Sequence, residues 1–193
     1  MKSIVCLVTT RMAYLTIIWI LFSSSVAIAQ TAQEKVKVHR DKKYMFLLQY
    51  PSSCSVAPAT HEHTRFRLIC GDDSDQYDFF VNVQYIEALK NVSAKEAIAS
   101  LTPQDYLNAL RETIPDAKLL SSGKSYLSQL EAAYWVVTFT YKTFGVEAPL
   151  NSLQIKTFKN GYVYTLGFRS PSARFNDLLP VFQNIAAGFI IKH

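Results

Sequence analysis

The C-terminal half of the chain holds three consecutive segments rich in aromatic and β-branched residues, at residues 132–141, 153–158 and 162–168. Asn160-Gly161 separates the last two segments. This dipeptide strongly favours a two-residue hairpin turn, because both of its residues tolerate a positive φ. The hairpin pairs neighbouring strands in opposite directions, so the sequence predicts an antiparallel sheet.

A further strand is predicted at residues 79–85, where FFVNVQY alternates apolar and polar positions. Successive strand residues point to opposite faces of a sheet. One face of this strand then carries Phe79, Val81, Val83 and Tyr85. We therefore expect this part of the sheet to have a buried side.

Residues 94–114 contain two helix-start signals. Ser93 and Glu96 form a capping-box pattern, and Thr102 precedes Pro103, which suits the first position of a helix. The segment is therefore either two short helices or one helix kinked at Pro103. Its predicted buried stripe is Tyr106, Leu110 and Ile114.

The C-terminal segment is predicted to be an amphipathic helix that begins with Ser170 as cap and Pro171 in the first turn. Its apolar stripe is Phe175, Leu178, Leu179, Phe182, Ile185 and Phe189. The strand at residues 134–141 has apolar residues on both faces, so a helix layer is expected on each side. The predicted fold class is an α/β/α sandwich with a central antiparallel sheet.

The N-terminus has the pattern of a secretory signal peptide. Lys2 and Arg11 precede a short apolar run at residues 13–22, and Ala27-Ile28-Ala29 gives the small-x-small cleavage pattern. We expect a signal peptide at residues 1–29, cleaved before Gln30, and a single α/β domain at residues 30–193. The alternative is an uncleaved anchor. Cleavage of the signal peptide places the domain outside the cytoplasm, in the periplasm or secreted.

Two cysteines, Cys54 and Cys70, remain after cleavage. In an oxidising compartment such a pair is usually a disulfide. If residues 54–56 and 66–70 are antiparallel strands with a turn near Glu62, Cys54 faces Cys70 at bridging distance.

His61 and His63 lie in the loop between the cysteines. On a strand the two imidazoles would point to the same side and could bind a divalent ion, with Asp72, Asp73 or Asp75 as a third ligand. The alternative is a solvated turn, because two ligands alone do not make a closed metal site. A metal ion is the one cofactor for which the sequence has candidate ligands; otherwise no cofactor is expected.

The segment at residues 34–43 is strongly basic, with Lys35, Lys37, Arg40, Lys42 and Lys43. These side chains could dock on an acidic partner or on anionic lipid headgroups. The alternative is a solvated edge strand, whose lysines discourage sheet-to-sheet association. A second set of binding candidates is aromatic and falls outside the clearest core patterns: Tyr77, Phe80 and Phe144.

Enzymatic and nucleic-acid-binding functions lack support in the sequence. There is no G-x-S-x-G, no H-E-x-x-H, no glycine-rich phosphate loop and, once the cysteines pair, no free thiol nucleophile. The net charge of +5 falls well short of a nucleic-acid-binding signature. We therefore expect neither catalysis nor binding to nucleic acid.

Two stretches resemble the PsbP/Mog-like superfamily: YMFLLQYP at residues 44–51, and NGYVYTLGFRSP at residues 160–171 followed by the predicted C-terminal helix. The resemblance spans residues 35–191. In that family a tryptophan often follows Tyr-Pro by three positions, and here Cys54 stands there. The resemblance implies an α/β/α sandwich and a role in binding or assembly.

Together these observations predict an exported, non-catalytic binding or assembly factor that acts on a protein complex at the envelope. The partner is an envelope protein or a membrane complex of unknown identity. The alternative function is that of a periplasmic metal- or small-ligand-binding protein. Such a protein would use the corner formed by His61 and His63, or a pocket between sheet and helix.

Overall fold

The computed structural model describes residues 35–59, 61–72, 76–143 and 146–192. The predicted signal peptide, Asp73, Asp75 and Phe144 lie outside these residues. The strands are β1 (Val36–Asp41), β2 (Phe46–Pro51), β3 (Ser55–Val56), β4 (Thr64–Cys70), β5 (Tyr77–Tyr85), β6 (Lys118–Leu127), β7 (Leu130–Thr143), β8 (Val146–Lys159), β9 (Tyr162–Pro171) and β10 (Ile190–Ile191). The helices are α1 (Ala94–Ala99), α2 (Pro103–Arg111) and α3 (Phe175–Ala187), with 3₁₀ turns at Glu87–Leu89 and Ser172–Arg174.

Within the described part of the chain the strands form two antiparallel sheets. The larger has seven strands in the order β3-β4-β5-β9-β8-β7-β6, and the smaller has the order β1-β2-β10. The predicted hairpin is confirmed, since β8 ends at Lys159 and β9 begins at Tyr162. Asn160 and Gly161 have φ of 51° and 81°, as the turn requires.

Apolar layers cover both faces of the large sheet, because β7 is apolar on both sides. Trp135 packs in a cluster with Ile98 of α1, and the next residue, Val136, packs against the cluster that holds Phe182 of α3. Consecutive strand residues point to opposite faces, so α1 and α3 lie on opposite sides. The central antiparallel sheet is thus confirmed. The flanking layers are thinner than a full α/β/α sandwich, since the small sheet shares the second face with α3 through Phe46.

The segment at residues 94–114 forms two helices, which decides between the two predicted arrangements. Ser93 and Glu96 make both hydrogen bonds of the capping box, and Thr102 caps α2. The buried residue of α2 is Leu107, while Tyr106, Leu110 and Ile114 are partly buried and pack around it. The buried stripe of α2 is therefore centred on Leu107, one residue after the predicted Tyr106.

The predicted start of the C-terminal helix is wrong. Ser170 and Pro171 remain in β9, where they pair with Asn151 and Leu150 of β8. After a 3₁₀ turn, α3 begins at Phe175. The backbone pairing between β8 and β9 continues through Ser170 and Pro171 and outweighs the local Ser-Pro helix-start signal. It does so because pairing at these two residues extends the buried sheet. The apolar stripe is confirmed by the burial of Phe175, Phe182, Ile185 and Phe189.

The disulfide between Cys54 and Cys70 is confirmed. Ser55 pairs with Ile69, which places Cys54 opposite Cys70 at a Cα–Cα distance of 4.4 Å. Both cysteines are buried in the main core. A bridge across a loop of this length contributes about 3 kcal/mol in the chain-entropy account. It anchors the short edge strand β3, which has few hydrogen bonds of its own.

His39 links the basic strand β1 to the core and generates a pH prediction. Its ring stacks on Phe66 with the centroids 4.1 Å apart, and its Nε2 has no hydrogen-bond partner among the described residues. Burial lowers the pKa of His39 below 6.5, although the nearby Asp41 carboxylate acts in the opposite direction. Neutral His39 therefore contributes stability that is complete above about pH 6.5 and is lost as the pH falls through the lower folded-state pKa.

We expect His39→Phe to abolish this acid-induced loss, because phenylalanine keeps the stacking and cannot be protonated. Urea midpoints of the wild type and the variant, compared between pH 7.5 and 5, should diverge in favour of the variant as the pH falls. His61→Gln, at an exposed position, serves as the control and should follow the wild type. Parallel curves for wild type and His39→Phe would contradict this account.

Candidate binding sites on the two faces of the sheet

A large cleft lies between α3, β10 and the strands β6, β7 and β8. We call it the α3 cleft; its volume is about 1270 Å³. Its floor is apolar and includes Val136, Leu153, Ile155, Leu179 and Phe182. Its rim is polar and includes Ser121, Ser125, Gln129, Gln183 and Lys192. An apolar floor with a polar rim is the usual composition of a binding site.

The α3 cleft stays open because β6 presents small residues to this face of the sheet. Ser121, Gly123 and Ser125 of β6 pair with Val136, Tyr134 and Ala132 of β7. A Cβ atom on Gly123 would lie 2.9 Å from Cε1 of Tyr134, so the tyrosine ring lies over the glycine. Small side chains fill little volume, and space therefore remains between β6 and α3.

One end of the cleft is held by the turn between β6 and β7. Ser128 and Gln129 form this turn with φ of 53° and 65°, a conformation that is costly for residues other than glycine. The Ser128 hydroxyl oxygen accepts a hydrogen bond of 2.7 Å from the backbone N–H of Ile191 in β10. The turn is thereby tied to the strand that forms the opposite wall.

The strand β6 is also an edge of the large sheet. Among the described strands its one hydrogen-bonded neighbour is β7, so its other side offers backbone groups for pairing. Leu120 is 55% exposed and Tyr126 is 71% exposed. The exposed Lys118 and Lys124 are typical of edge strands that avoid self-association. The α3 cleft therefore adjoins an edge of the large sheet.

A second cavity of about 690 Å³ lies on the opposite face, between the C-terminal end of α2 and strands β4, β5, β7, β8 and β9. We call it the Arg169 cavity. The sheet register builds its floor in rows. One row runs from Val137 through Ser152 to Arg169, and the next runs from Gln154 through Gly167 to Phe80. Polar and aromatic side chains thus alternate along this face.

Phe80 and Arg169 are held in place by several contacts. The Phe80 ring lies directly over Gly167, where an added Cβ atom would be 2.0 Å from Cζ of the ring. The Arg169 guanidinium carbon lies 5.1 Å from the centroid of the same ring. Arg169 also donates to the carboxylate of Asp78, which accepts two further hydrogen bonds from Arg67, at 3.0 and 3.3 Å.

The predicted metal-site histidines lie in a turn rather than on a strand. The N–H of Thr64 donates to the carbonyl of His61 at 3.0 Å, which closes the turn immediately before β4. His61 lines the Arg169 cavity, whereas His63 does not. Within the described ranges no group of three His, Cys, Asp or Glu residues is placed to hold a metal ion. Metal binding at this corner stays a prediction.

The five predicted docking residues, Lys35, Lys37, Arg40, Lys42 and Lys43, are all exposed. They lie on or next to β1, the outer strand of the small sheet. Two strand spacings, about 10 Å, separate β1 from β10, which lines the α3 cleft. This geometry is compatible with the docking role and with the solvated edge strand alike, and the docking role stays a prediction.

Of the aromatic candidates, Phe80 lines the Arg169 cavity, and Tyr77 is partly buried against Phe168 with the ring centroids 5.9 Å apart. The sequence reasoning missed Ser152 and Arg169, because their positions depend on the pairing of β8 with β9. It also missed the small residues of β6. The run SSGKS at residues 121–125 was a usable signal, since small residues on a strand leave space beside a packed neighbour.

Comparisons with known proteins identify the fold. The solution structure of cyanobacterial PsbP (CyanoP) from Synechocystis sp. PCC 6803 matches with a TM-score of 0.57 and 12% identity, covering 84% of this chain and 95% of that one. The Ran-binding protein Mog1p of Saccharomyces cerevisiae matches with a TM-score of 0.53 and 10% identity, covering 82% and 96%. The chain has the PsbP/Mog-like fold.

At this level of identity the likeness concerns the fold alone. No family model matches the sequence, and no curated protein matches it. None of the helices in the described part of this PsbP/Mog-like domain is long and apolar enough to cross a membrane.

The contact between Phe80 and Gly167 generates a stability prediction. We expect Gly167→Ala to lower the free energy of unfolding by about 1–3 kcal/mol, because the new methyl group must displace the ring. In a Phe80→Ala background the same change should cost much less, since the obstructing ring is gone. Urea denaturation of the four proteins of this double-mutant cycle measures the coupling.

Gly123→Ala is the matched control, because the group it would displace is the edge of the partly exposed Tyr134 ring. Gly123→Ala should lower the free energy of unfolding by less than Gly167→Ala does. An equal cost of Gly167→Ala with and without the Phe80 ring would show that this contact does not shape the cavity.

Proposed function

We propose that the protein is an exported, non-catalytic binding factor that captures an extended segment of an envelope protein in the α3 cleft and so assists the assembly of a complex. The observation that carries this proposal is the position of the cleft beside β6, the edge strand of the large sheet. A segment that pairs with β6 can place every second side chain in the cleft.

The dimensions of the cleft favour a peptide segment over a compact ligand. Its volume of about 1270 Å³ exceeds the range of roughly 300–1,000 Å³ that is typical of small-molecule sites. The apolar floor suits alternating apolar side chains. Backbone hydrogen bonds to β6 would supply affinity, and the cleft would select the side chains.

The charges around the cleft favour a segment with acidic flanks. Among the described lining residues Lys192 is charged and no acidic residue is present. Lys118 and Lys124 are exposed on β6. The basic residues of β1 lie on the same small sheet as β10, which forms one wall of the cleft. Complementary charge would mainly accelerate association and align the segment.

Two further observations support an exported binding protein. A buried disulfide is typical of oxidising compartments outside the cytoplasm. Mog1p, which shares the fold, is named for binding another protein, Ran. Two predictions from the sequence remain as alternatives to this proposal. They are binding of the basic segment at residues 34–43 to anionic lipid headgroups, and binding of a metal ion by His61 and His63.

The second candidate function is the binding of a small amphipathic molecule in the same cleft. The apolar floor and Lys192 would suit a molecule with an apolar chain and an anionic head. The two candidates differ in whether the edge of β6 takes part, and one experiment separates them.

Photo-crosslinking in the native host tests the proposal. A photoreactive amino acid replaces Gln183 on the α3 side of the cleft, and the crosslinked peptide is identified by mass spectrometry. We expect a single envelope-protein segment with alternating apolar residues. In a Ser125→Trp background, which fills the cleft, the crosslinked product should fall by about tenfold or more, as expected for a lost central contact.

Lys124→Trp is the matched control, because it places the same side chain one residue away on the opposite face of β6. It should lower the crosslinked product far less than Ser125→Trp does, since loss of this exposed charge mainly affects the association rate. A crosslinked lipid or metabolite in place of a peptide would favour the second candidate. Equal crosslinking in the two tryptophan variants would reject the α3 cleft as the binding site.

A further inference from the structure

A buried hydroxyl group without a partner lines the Arg169 cavity on the other face of the sheet. Ser152 is 2% exposed, and its Oγ has no hydrogen-bond partner among the described residues. Leaving a buried polar group unpaired costs stability, so such groups are rare and often mark a site that is completed by another molecule. Ser152 therefore needs an explanation that packing does not supply.

Other polar groups converge on the same cavity. Gln154 lies next to Ser152 on the same face of β8, and Asn82 lines the cavity from β5. The Thr64 hydroxyl donates to the Asn82 side-chain oxygen at 3.0 Å, which leaves the Asn82 NH₂ group as a donor. Donors on β5 and β8, the two strands that flank β9, thus line one cavity, as in sites that orient a polar ligand.

The charge of the site favours an anion with a single negative charge. Asp78 is the carboxylate shared by Arg67 and Arg169, so these three side chains carry a net charge of +1. The cavity lining also includes Asp116 and Lys142, whose opposite charges cancel. Arg67 engages both carboxylate oxygens, while Arg169 contributes one nitrogen, Nη2. A guanidinium has five N–H donors, and most of those on Arg169 are not used by Asp78.

The shape of the site favours a planar anion on an apolar body. A guanidinium presents paired donors that match the two oxygens of a carboxylate. The Phe80 ring, Val137 and Phe139 supply apolar walls beside these donors. The volume of about 690 Å³ lies within the range of small-molecule sites, in contrast to the larger α3 cleft.

We infer that the Arg169 cavity binds a small organic carboxylate, with Arg169 and Ser152 contacting the carboxylate and Phe80 contacting the apolar body. This site lies on the opposite face from the α3 cleft and does not depend on the function proposed for that cleft. Arg169 and Ser152 are neighbours across β8 and β9, so both can reach one bound group.

The test uses the protein purified from its host and three probes of similar shape: benzoate, benzamide and phenyl phosphate. Binding is followed by nuclear magnetic resonance titration. We expect benzoate to saturate the site at roughly millimolar concentration. Neutral benzamide should bind about tenfold more weakly, because it lacks the charge that pairs with Arg169.

Two variants locate the site. Ser152→Ala and Arg169→Lys should each weaken benzoate binding by about tenfold, since the first removes the hydroxyl and the second keeps the charge but loses the paired donors. Ser152→Ala should also keep or raise the melting temperature, because it removes a buried group without a partner. Ser121→Ala, on the rim of the α3 cleft, is the control and should bind benzoate as the wild type does.

Four outcomes would overturn the inference. Equal affinity for benzoate and benzamide would show that the cavity does not recognise the carboxylate group. Tighter binding of phenyl phosphate than of benzoate would show that the cavity prefers a phosphate group to a carboxylate group. Unchanged benzoate binding by Ser152→Ala, or no saturable benzoate binding by the wild type, would show that the hydroxyl and the cavity do not form a carboxylate site.

Discussion

The structure depends on the need to cover both faces of the strand pair β7 and β8. Trp135 and Val136 are adjacent in β7 and enter two different hydrophobic clusters on opposite sides of the sheet. A sheet that is apolar on both faces requires two covering layers. Helices α1 and α2 supply one layer, and α3 with the small sheet supplies the other. Both proposed sites lie where these layers stop.

The two sites differ because the covering layers stop for different reasons. On the α3 side, the small residues of β6 leave an apolar gap beside an unpaired strand edge. On the α2 side, the row through Ser152 and Arg169 presents polar groups to a cavity beside the C-terminal end of α2. An apolar gap at a strand edge favours an extended chain, whereas buried donors around a guanidinium favour a small anion. One sheet can thus hold two sites of different chemistry.

Local signals in the sequence predicted the elements whose interactions are local. The turn at Asn160, the capping box at Ser93 and the cap at Thr102 each involve residues within a few positions of one another. The disulfide was predictable because a single hairpin places Cys54 opposite Cys70. The start of α3 was not predictable in this way. The Ser-Pro signal at residue 170 competes with pairing to β8, which local sequence does not show.

The sequence by itself determined an antiparallel sheet with capped helices and a disulfide corner, since alternation, turn residues and caps act between neighbours in the chain. Only the tertiary structure decided where space and unpaired groups remain. The α3 cleft depends on how far β6 lies from α3, and the Ser152 hydroxyl acquires its significance from the strands on either side of it. Volumes and missing partners are properties of packing between distant segments, and no short stretch of residues encodes them.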